Sequence, residues 1–333
     1  MNRRFITFVL ILGLVFSNML LPSKSQARSP KHTVYVTTYA LESFTEALAG
    51  DLVDVKNFVP PAADLHSWEP TARDMAALSE ASLLIANGAG LEPWLDKVTV
   101  VLDEAKVIDS STHVDLLPSI GNSEHDDHDD LGDADDHDAD DQDHDADDHD
   151  HHHHHDHGAY DPHFWVDPYC AEEQAKAVYE ALLNLLPEDE DTLKANYEAL
   201  EEKFEALQDK ADQLDDGPGK AFVVTHGGFR YLSERYDLEQ LALNVADHSE
   251  PPPRELAIII ERAKELGLKT VLFDSSDSSK QAEVIAEAIS GEIVPIQTFE
   301  YVSEEARTDG RDYFDRMTDM LETLQAALGG YDD

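Results

Sequence analysis

Three histidines lie in short stretches that contain Pro or Gly, and together they could bind a metal ion. His66 lies in DLHSWEPT, His163 in DPHFWVDP and His226 in FVVTHGGFR. His226 ends a predicted strand, and His66 lies in the loop between a predicted strand and a capped helix. Ligands of open α/β sheets bind beyond the carboxyl ends of the strands, so we expect these side chains to meet in one crevice. Three neutral imidazoles suit zinc, copper, nickel or iron better than manganese or calcium.

Two later acidic residues occupy comparable positions. Asp274 ends a predicted strand and Glu300 follows another. A tetrahedral metal with three histidine ligands keeps its fourth position for a carboxylate or for water. That geometry also describes zinc hydrolases, so an enzyme is a competing hypothesis. The sequence contains no His-Glu-x-x-His, no Gly-x-Ser-x-Gly and no Gly-rich phosphate loop.

A further group of histidines lies in the segment Ser123–Ala159, which has sixteen Asp, one Glu and no Lys or Arg. Leu131 is its only large aliphatic residue, so the segment cannot build a core and is predicted to be disordered. Its histidines are not preorganised, and we therefore expect weaker binding than at a fixed site. We interpret the segment as an accessory metal collector or sensor, with a merely solvated insertion as the alternative. The histidines concerned are His125, His128, His137, His144, His149, His151, His152, His153, His154, His155 and His157.

The formal net charge is −47, which argues against binding to nucleic acid or anionic membranes and favours attraction of cations. The acidic residues of Ser123–Ala159 account for only part of this charge and leave −30 for the rest of the chain. Acidity is therefore general and does not by itself indicate a metal site.

The N-terminus is typical of a cleaved signal peptide. Arg3 and Arg4 precede the apolar run Phe5–Leu21, and a Ser-Gln-Ala sequence predicts cleavage near Ala27. The run is short for a membrane anchor, which is the alternative. Cys170 is the only cysteine, so an intramolecular disulfide and the Cys-rich zinc folds are excluded. Export with no cysteine for lipid attachment at the cleavage site points to a periplasm.

Strand and helix patterns alternate through the rest of the chain, which predicts an α/β fold with buried parallel sheets. The most regular stretch is Leu193–Leu214, where apolar residues recur at steps of four and three. We interpret it as one long helix between two lobes, and a short dimeric coiled coil is the alternative. The predicted organisation is a signal peptide (1–27), a first lobe (28–187) with a disordered loop (123–159), a linking helix (188–216) and a second lobe (217–333).

Four motifs, in order, carry a resemblance to a known family. They are DLHSWEPT, DPHFWVDP, FVVTHGGFRYLSERYDL and HSEPPPREL. The chain resembles the metal-specific solute-binding proteins of zinc/manganese ABC importers. This resemblance implies two (β/α) lobes joined by one long helix, with the metal between them and His66, His163 and His226 as ligands. In that family a histidine at the place of His226 favours zinc. Glu300 is the nearest candidate for the fourth ligand, with water or Asp274 as alternatives.

The resemblance also implies a function. The expected protein is a monomeric periplasmic zinc receptor without enzymatic activity. It would deliver Zn²⁺ to the membrane permease subunit of an ABC importer, which works with a cytoplasmic ATPase. Two alternatives stay open: a secreted zinc-dependent hydrolase that uses the three histidines, and a zinc buffer that uses only the His-rich run.

Overall fold

The structure is a computed structural model, and it describes residues 31–61, 63–119, 159–215, 219–244, 252–274, 279–300 and 302–328. The account below concerns one compact unit, His32–Asp333. The predicted signal peptide, the histidines of the acidic segment and the first four residues of the motif HSEPPPREL lie outside the described residues. Within the described part of the chain, no helix has the length and apolar character needed to cross a membrane.

The first half of the chain forms a four-stranded parallel sheet in the order β2-β1-β3-β4. In its register Val34 of β1 lies between Val55 of β2 and Leu83 of β3. β3 is buried along its whole length, as expected for a strand covered on both faces. The strands are β1 (His32–Val36), β2 (Val53–Asn57), β3 (Leu83–Ala86) and β4 (Val107–Asp109).

The second half repeats this arrangement with a parallel sheet in the order β6-β5-β7-β8. Val223 of β5 pairs with Leu241 of β6 and with Val271 of β7. In both sheets the second strand in chain order pairs with one edge of the first strand, and the third strand pairs with its other edge. This reversal of direction creates a crevice at the carboxyl ends of the strands. The strands are β5 (Ala221–His226), β6 (Glu239–Asn244), β7 (Thr270–Asp274) and β8 (Glu292–Ile296).

Ten α-helices are present among the described residues, and several begin at residues suited to capping. Thr38 accepts a hydrogen bond from the Leu41 amide, and Thr71 with Asp74 forms the capping box that the sequence predicts. The helices are α1 (Tyr39–Ala49), α2 (Ala72–Leu78), α3 (Leu95–Val98), α4 (Pro168–Leu185), α5 (Glu190–Asp212), α6 (Arg230–Tyr236), α7 (Pro253–Glu265), α8 (Ser279–Ile289), α9 (Glu304–Arg307) and α10 (Tyr313–Leu328). Short 3₁₀ turns lie at Gly50–Leu52, Glu104–Lys106, Ser110–His113, Phe164–Val166 and Pro187–Asp189.

The long helix α5 is continuous from Glu190 to Asp212, as the heptad spacing predicts. Its apolar stripe, including Leu193, Leu200 and Leu207, is 0–3% exposed. The stripe packs within the chain, because α5 contacts α1, α4 and α10. The apolar residues of α5 are therefore buried by helices of their own chain. Their heptad spacing is explained without pairing to a second copy of the chain.

Two hydrophobic cores hold the fold together. The larger core includes residues of both sheets and helices α1, α4, α5 and α10, so it is continuous across the two halves. The smaller core lies between the second sheet and helices α7 and α8, around Val223, Val271 and Ile285. The closing helix α10 packs against both α5 and the second sheet. The two-lobed α/β class is thus present, while the lobe boundaries given above stay predictions.

Candidate metal centre

Four side chains from separate parts of the chain converge at the carboxyl ends of the two sheets. Ligand atoms of His66, His163, His226 and Glu300 all lie within 4.8 Å of one another. His66 follows β2, His226 is the last residue of β5, and Glu300 comes shortly after β8. His163 directly precedes a 3₁₀ turn before α4. The three predicted histidines and the nearest predicted carboxylate are therefore brought together.

The separations of the candidate ligand atoms lie on both sides of those expected for a tetrahedral zinc. The Nε2 atoms of His163 and His226 are 3.3 Å apart. Glu300 Oε1 lies 2.7 Å from each of these nitrogens, and Glu300 Oε2 lies 3.6 Å from His66 Nε2. A tetrahedral zinc with ligands at about 2.0–2.1 Å would place its donor atoms about 3.3 Å apart. Three imidazole nitrogens and one carboxylate oxygen are also ligand types that zinc accepts.

His66 is the most exposed of the four residues. Its side chain is 18% exposed, whereas the side chains of His163 and His226 are each 1% exposed and that of Glu300 is 5% exposed. The Nε2 atom of His66 is nevertheless buried, so its exposed surface belongs to other atoms of the side chain.

His163 is oriented by the carboxylate of Asp161, which lies two residues before it in the chain. Asp161 Oδ1 lies 2.7 Å from His163 Nδ1 and accepts a hydrogen bond of 2.9 Å from the His163 backbone amide. Burial by itself lowers the pKa of His163, but the carboxylates of Glu300 and Asp161 outweigh burial and raise this pKa to about 10. The Asp-x-His spacing was a usable signal, because a metal-binding histidine commonly donates its other ring nitrogen to a carboxylate.

Glu300 is held in place by the segment that precedes it. The Asp274 carboxylate accepts two hydrogen bonds of 2.9 Å from Thr298, one from its amide and one from its hydroxyl. Phe299 has a φ of 64°, a left-handed conformation that is costly for a non-glycine residue and is seen mainly where the surroundings enforce it. Burial opposes ionisation of Glu300, yet the charges of His226 and His163 hold its pKa well below the usual range. Asp274, the alternative fourth ligand, thus lies outside the four-residue cluster and supports the Glu300 segment.

The turn after His226 requires a glycine. A Cβ atom at Gly228 would lie 2.9 Å from Cγ2 of Thr298 and 3.2 Å from Cδ2 of the His226 ring. A side chain here would press on the ring of His226 and on the Glu300 segment at once. The Gly-Gly pair in FVVTHGGFR therefore permits a close approach of two ligand-bearing segments.

The loop that carries His66 is fixed mainly by contacts of its own. Asp64 accepts a hydrogen bond of 2.9 Å from the His66 amide and one of 2.7 Å from the Ser67 hydroxyl. Trp68 packs edge-on against Phe58 and Trp94, with ring centroids 5.4 and 5.6 Å away. Trp68 therefore anchors the loop in the core. Trp165 lies beside the site, with its ring centroid 5.5 Å from that of His163.

The ends of the acidic insertion lie next to each other and close to the site. Pro118 and Tyr160 form an isolated antiparallel bridge, and the Ser119 amide donates to the Ala159 carbonyl at 3.1 Å. The Asp161 amide donates to the Leu117 carbonyl at 2.8 Å. The chain therefore enters and leaves residues 120–158 at one place, a few residues before His163.

The two other histidines of the described residues, His32 and His113, do not join the cluster. His32 Nδ1 lies 2.9 Å from the Ser82 hydroxyl, and His113 Nε2 lies 3.7 Å from Glu180. His248 and the eleven histidines of the acidic segment lie outside the described residues.

Comparison with known proteins gives a consistent family. The family described as ZnuA, "Zinc-uptake complex component A periplasmic", matches residues 34–327. The zinc-binding protein AdcA of Streptococcus pyogenes serotype M3 is 26% identical over 329 residues, which cover 98% of this chain and 61% of AdcA. The chain thus spans less than two thirds of that relative. The high-affinity zinc uptake system protein ZnuA of Bacillus subtilis is 27% identical over 308 residues, covering 91% of this chain and 90% of the relative.

The fold agrees with solved structures as well. A crystal structure of a ZnuA deletion mutant with zinc bound has a TM-score of 0.71 and 26% sequence identity. The match covers 90% of this chain and 99% of that one.

Proposed function

The chain belongs to the family of periplasmic zinc-uptake complex component A proteins, and we propose that it is a receptor that binds zinc for an importer. The observation that carries this proposal is the convergence of His66, His163, His226 and Glu300 within 4.8 Å. These residues would hold one Zn²⁺ as cargo through three imidazole nitrogens and one carboxylate oxygen. The family and the zinc-binding relatives support zinc as the ion.

The proposed partner is the membrane permease subunit of an ABC-type importer, together with its cytoplasmic ATPase. The proposed location is the periplasm, after removal of a signal peptide near Ala27. We also propose that the receptor acts as a monomer, since the apolar stripe of α5 packs inside the chain. Release of a buried ion would then require the permease to disturb the ligand segments.

A zinc ion with four protein ligands fits a transport receptor better than a hydrolase. A catalytic zinc usually keeps one coordination position for water, whereas a site with four protein ligands is closed. With Glu300 as the fourth ligand, a bound zinc would have no such position. We therefore propose no enzymatic activity for this site. A zinc buffer that used only the acidic segment would not account for the buried cluster of three imidazoles and a carboxylate, which lies outside that segment.

We further propose that the eleven histidines of the acidic segment collect zinc at the mouth of this site. The support is the position of Ser119 and Ala159, which join that segment to the chain close to His163. Its binding would be weaker and less selective than that of the four-residue cluster, because the composition of the segment provides no core to preorganise its ligands and ordering them costs entropy.

The test is a zinc titration of the full chain in a chelator buffer that leaves weak sites empty. We expect one tightly bound ion, and its loss in His163→Ala and His226→Ala. His113→Ala is the matched control, because His113 lies outside the cluster beside Glu180. Tight binding that survives His226→Ala, or is lost equally in His113→Ala, would contradict the proposed site. Turnover of esters, amides or phosphates that requires the same histidines would favour the hydrolase.

A further inference from the structure

The segment Asp161–Asp167 carries His163 and is bound by the second half of the chain at both of its ends. The Tyr231 hydroxyl donates a hydrogen bond of 2.7 Å to the Asp161 carbonyl. Arg235 forms an ion pair with Asp167, with Nη2 2.7 Å from Oδ2. Tyr231 and Arg235 are four residues apart on α6, so they lie on the same face of that helix.

Helix α6 also has a fixed relation to His226. It begins at Arg230, directly after the short Gly-Gly turn that follows His226. The Tyr231 hydroxyl in turn accepts a hydrogen bond of 3.2 Å from the Leu117 amide, at the base of the acidic insertion. The contacts of α6 therefore set the His163 segment at a defined position relative to His226.

A second cross-connection reaches the Glu300 segment. Trp165 Nε1 donates a hydrogen bond of 2.7 Å to the Thr298 carbonyl. Trp165 lies two residues after His163, and Thr298 lies two residues before Glu300. The Tyr313 hydroxyl donates to the Trp165 carbonyl at 2.5 Å and secures the same segment from α10. These contacts are buried, with Trp165 1% and Tyr231 4% exposed, so water does not compete for them.

We propose that Tyr231 and Trp165 are positioning residues that hold His163, His226 and Glu300 at metal-ligating separations. The proposal rests on the proposed function of the four-residue cluster. Neither residue touches the metal. Tyr231 ties the His163 segment to the helix that follows His226, and Trp165 ties it to the segment that carries Glu300. The three buried ligands are thereby linked to each other by hydrogen bonds that do not involve the ligands themselves.

The physical reason is that His163, His226 and Glu300 come from both halves of the chain. The separations between these ligand atoms stay fixed only if the chain segments that carry them do not move relative to one another. Groups behind the ligands of a metal site commonly change affinity 10- to 100-fold when they are removed. Since Tyr231 and Trp165 act through the backbone, we expect an effect near the lower end of this range.

The experiment compares Tyr231→Phe and Trp165→Phe with the wild type in the full chain. Tyr231→Phe removes one hydroxyl and keeps the ring, which packs on Phe164 at 6.2 Å between centroids. Tyr236→Phe is the matched control: it removes a hydroxyl from the same helix, one bonded at 2.9 Å to Asp212, away from the ligand segments. The measurements are the zinc dissociation constant in a chelator buffer, the zinc dissociation rate, the thermal midpoint and the visible spectrum of the Co²⁺-loaded protein.

We expect about a 10-fold rise in the zinc dissociation constant for Tyr231→Phe and for Trp165→Phe, mainly through faster dissociation. Their Co²⁺ spectra should shift as the tetrahedral geometry relaxes, and Tyr236→Phe should match the wild type in both respects.

Zinc binding and Co²⁺ spectra that are unchanged in both variants would overturn the positioning role. So would an equal loss in Tyr236→Phe, which would indicate a general effect on stability. If Trp165→Phe does not fold, Tyr231→Phe decides. A wild type that binds no zinc would instead overturn the proposed function, and this proposal with it.

Discussion

The carboxylate of Asp161 lies 2.7 Å from Nδ1 of His163, two residues further along the chain. With a proton on Nδ1 shared with this carboxylate, Nε2 of His163 is the nitrogen left to bind a metal ion. Nε2 is indeed the atom that lies 3.3 Å from Nε2 of His226. Asp161 is 7% exposed and its position is fixed from both sides, by Tyr231 at its carbonyl and by Leu117 at its amide.

We expect Asp161→Ala to weaken zinc binding about 10- to 100-fold, because the His163 ring loses the partner that sets its tautomer and orientation. Asp161→Asn should cost less, since the amide oxygen can still accept from Nδ1. Zinc dissociation constants measured with a chelator buffer check this. Asp74→Ala is the control, because it removes a carboxylate from a capping box of the same half of the chain. Equal affinities for Asp161→Ala and the wild type would show that His163 needs no such partner.

The fourth ligand can be decided by comparing two carboxylates. Glu300→Ala removes an atom of the cluster, whereas Asp274→Ala removes hydrogen bonds to Thr298. We expect Glu300→Ala to lower zinc affinity about 100-fold or more, since four ligands share roughly 10–16 kcal/mol of binding free energy. Asp274→Ala should have the smaller effect, with one zinc still bound. A larger loss for Asp274→Ala would reverse the assignment, and X-ray absorption of the zinc-loaded proteins would identify the remaining ligands.

Deleting residues 120–158 should leave the tight site intact. Ser119 and Ala159 are already hydrogen bonded at 3.1 Å, so a short Gly linker can close the gap without moving Asp161. We expect calorimetry to show one tight zinc with unchanged affinity, and the loss of additional weaker binding. The control is a full-length variant in which the eleven histidines of the segment become Asn, which separates ligand loss from the change in length. Loss of the tight site on deletion, but not in the Asn variant, would give the segment a structural role.

Much of the fold follows from local patterns in the sequence. The apolar patterns of the sequence predict a strand at Thr270–Asp274 and a helix at Ser279–Ile289, which are the observed bounds, and the helix predicted at Leu193–Leu214 is observed at Glu190–Asp212. Each of these combines a clear period with a distinct start or stop signal. The four-residue helices Leu95–Val98 and Glu304–Arg307 were missed, because one turn is too short to show a helical period.

The site could be predicted only in part. The strand-end positions of His66 and His226, together with the motif around His163, indicate that the three histidines meet, and Glu300 is the nearest predicted carboxylate. The contacts that orient these side chains were not visible. Trp165 and Thr298 are 133 residues apart, and no local pattern pairs them. Asp161 is close in sequence to His163, but Pro162 made it resemble a turn residue, and spacing does not reveal which way a side chain points.

The buried stripe of α5 leads to a prediction about stability. Leu200 is 2% exposed and packs with other apolar residues of its own chain. We expect Leu200→Ala to lower the free energy of unfolding by about 2–5 kcal/mol, because it leaves a cavity in the core. Glu205→Ala on the exposed face of the same helix should change it little. Denaturant unfolding and sedimentation velocity check both points. A dimer in the wild type that dissociates in Leu200→Ala would favour the coiled coil instead.

Another buried carboxylate, that of Glu92, lies behind the site in the first half of the chain. Glu92 is 5% exposed and accepts hydrogen bonds from the Thr37 hydroxyl and from the amides of Asn87 and Gly88. The Asn87 side chain in turn donates to the Pro162 carbonyl at 3.0 Å, next to His163. Burial raises the pKa of Glu92 from 4.5 to about 7, although the three donors oppose this shift.

The raised pKa of Glu92 predicts how stability depends on pH. A carboxyl group whose pKa is higher in the folded state than in the unfolded state binds more protons when folded, so stability falls as pH rises between the two values. For Glu92 this window runs from pH 4.5 to about pH 7, and the full loss of stability above it is about 3 kcal/mol.

The side chain introduced by Glu92→Gln does not titrate. The free energy of unfolding of the wild type minus that of Glu92→Gln should therefore fall by about this amount between pH 4 and pH 8. The metal-ligand residues titrate alike in both proteins and cancel in the difference. Glu205→Gln, at an exposed position on α5, should show a nearly constant difference from the wild type. Denaturant unfolding of the metal-free proteins across this range is the measurement, and parallel curves for the wild type and Glu92→Gln would show that the pKa of Glu92 is not raised in the folded protein.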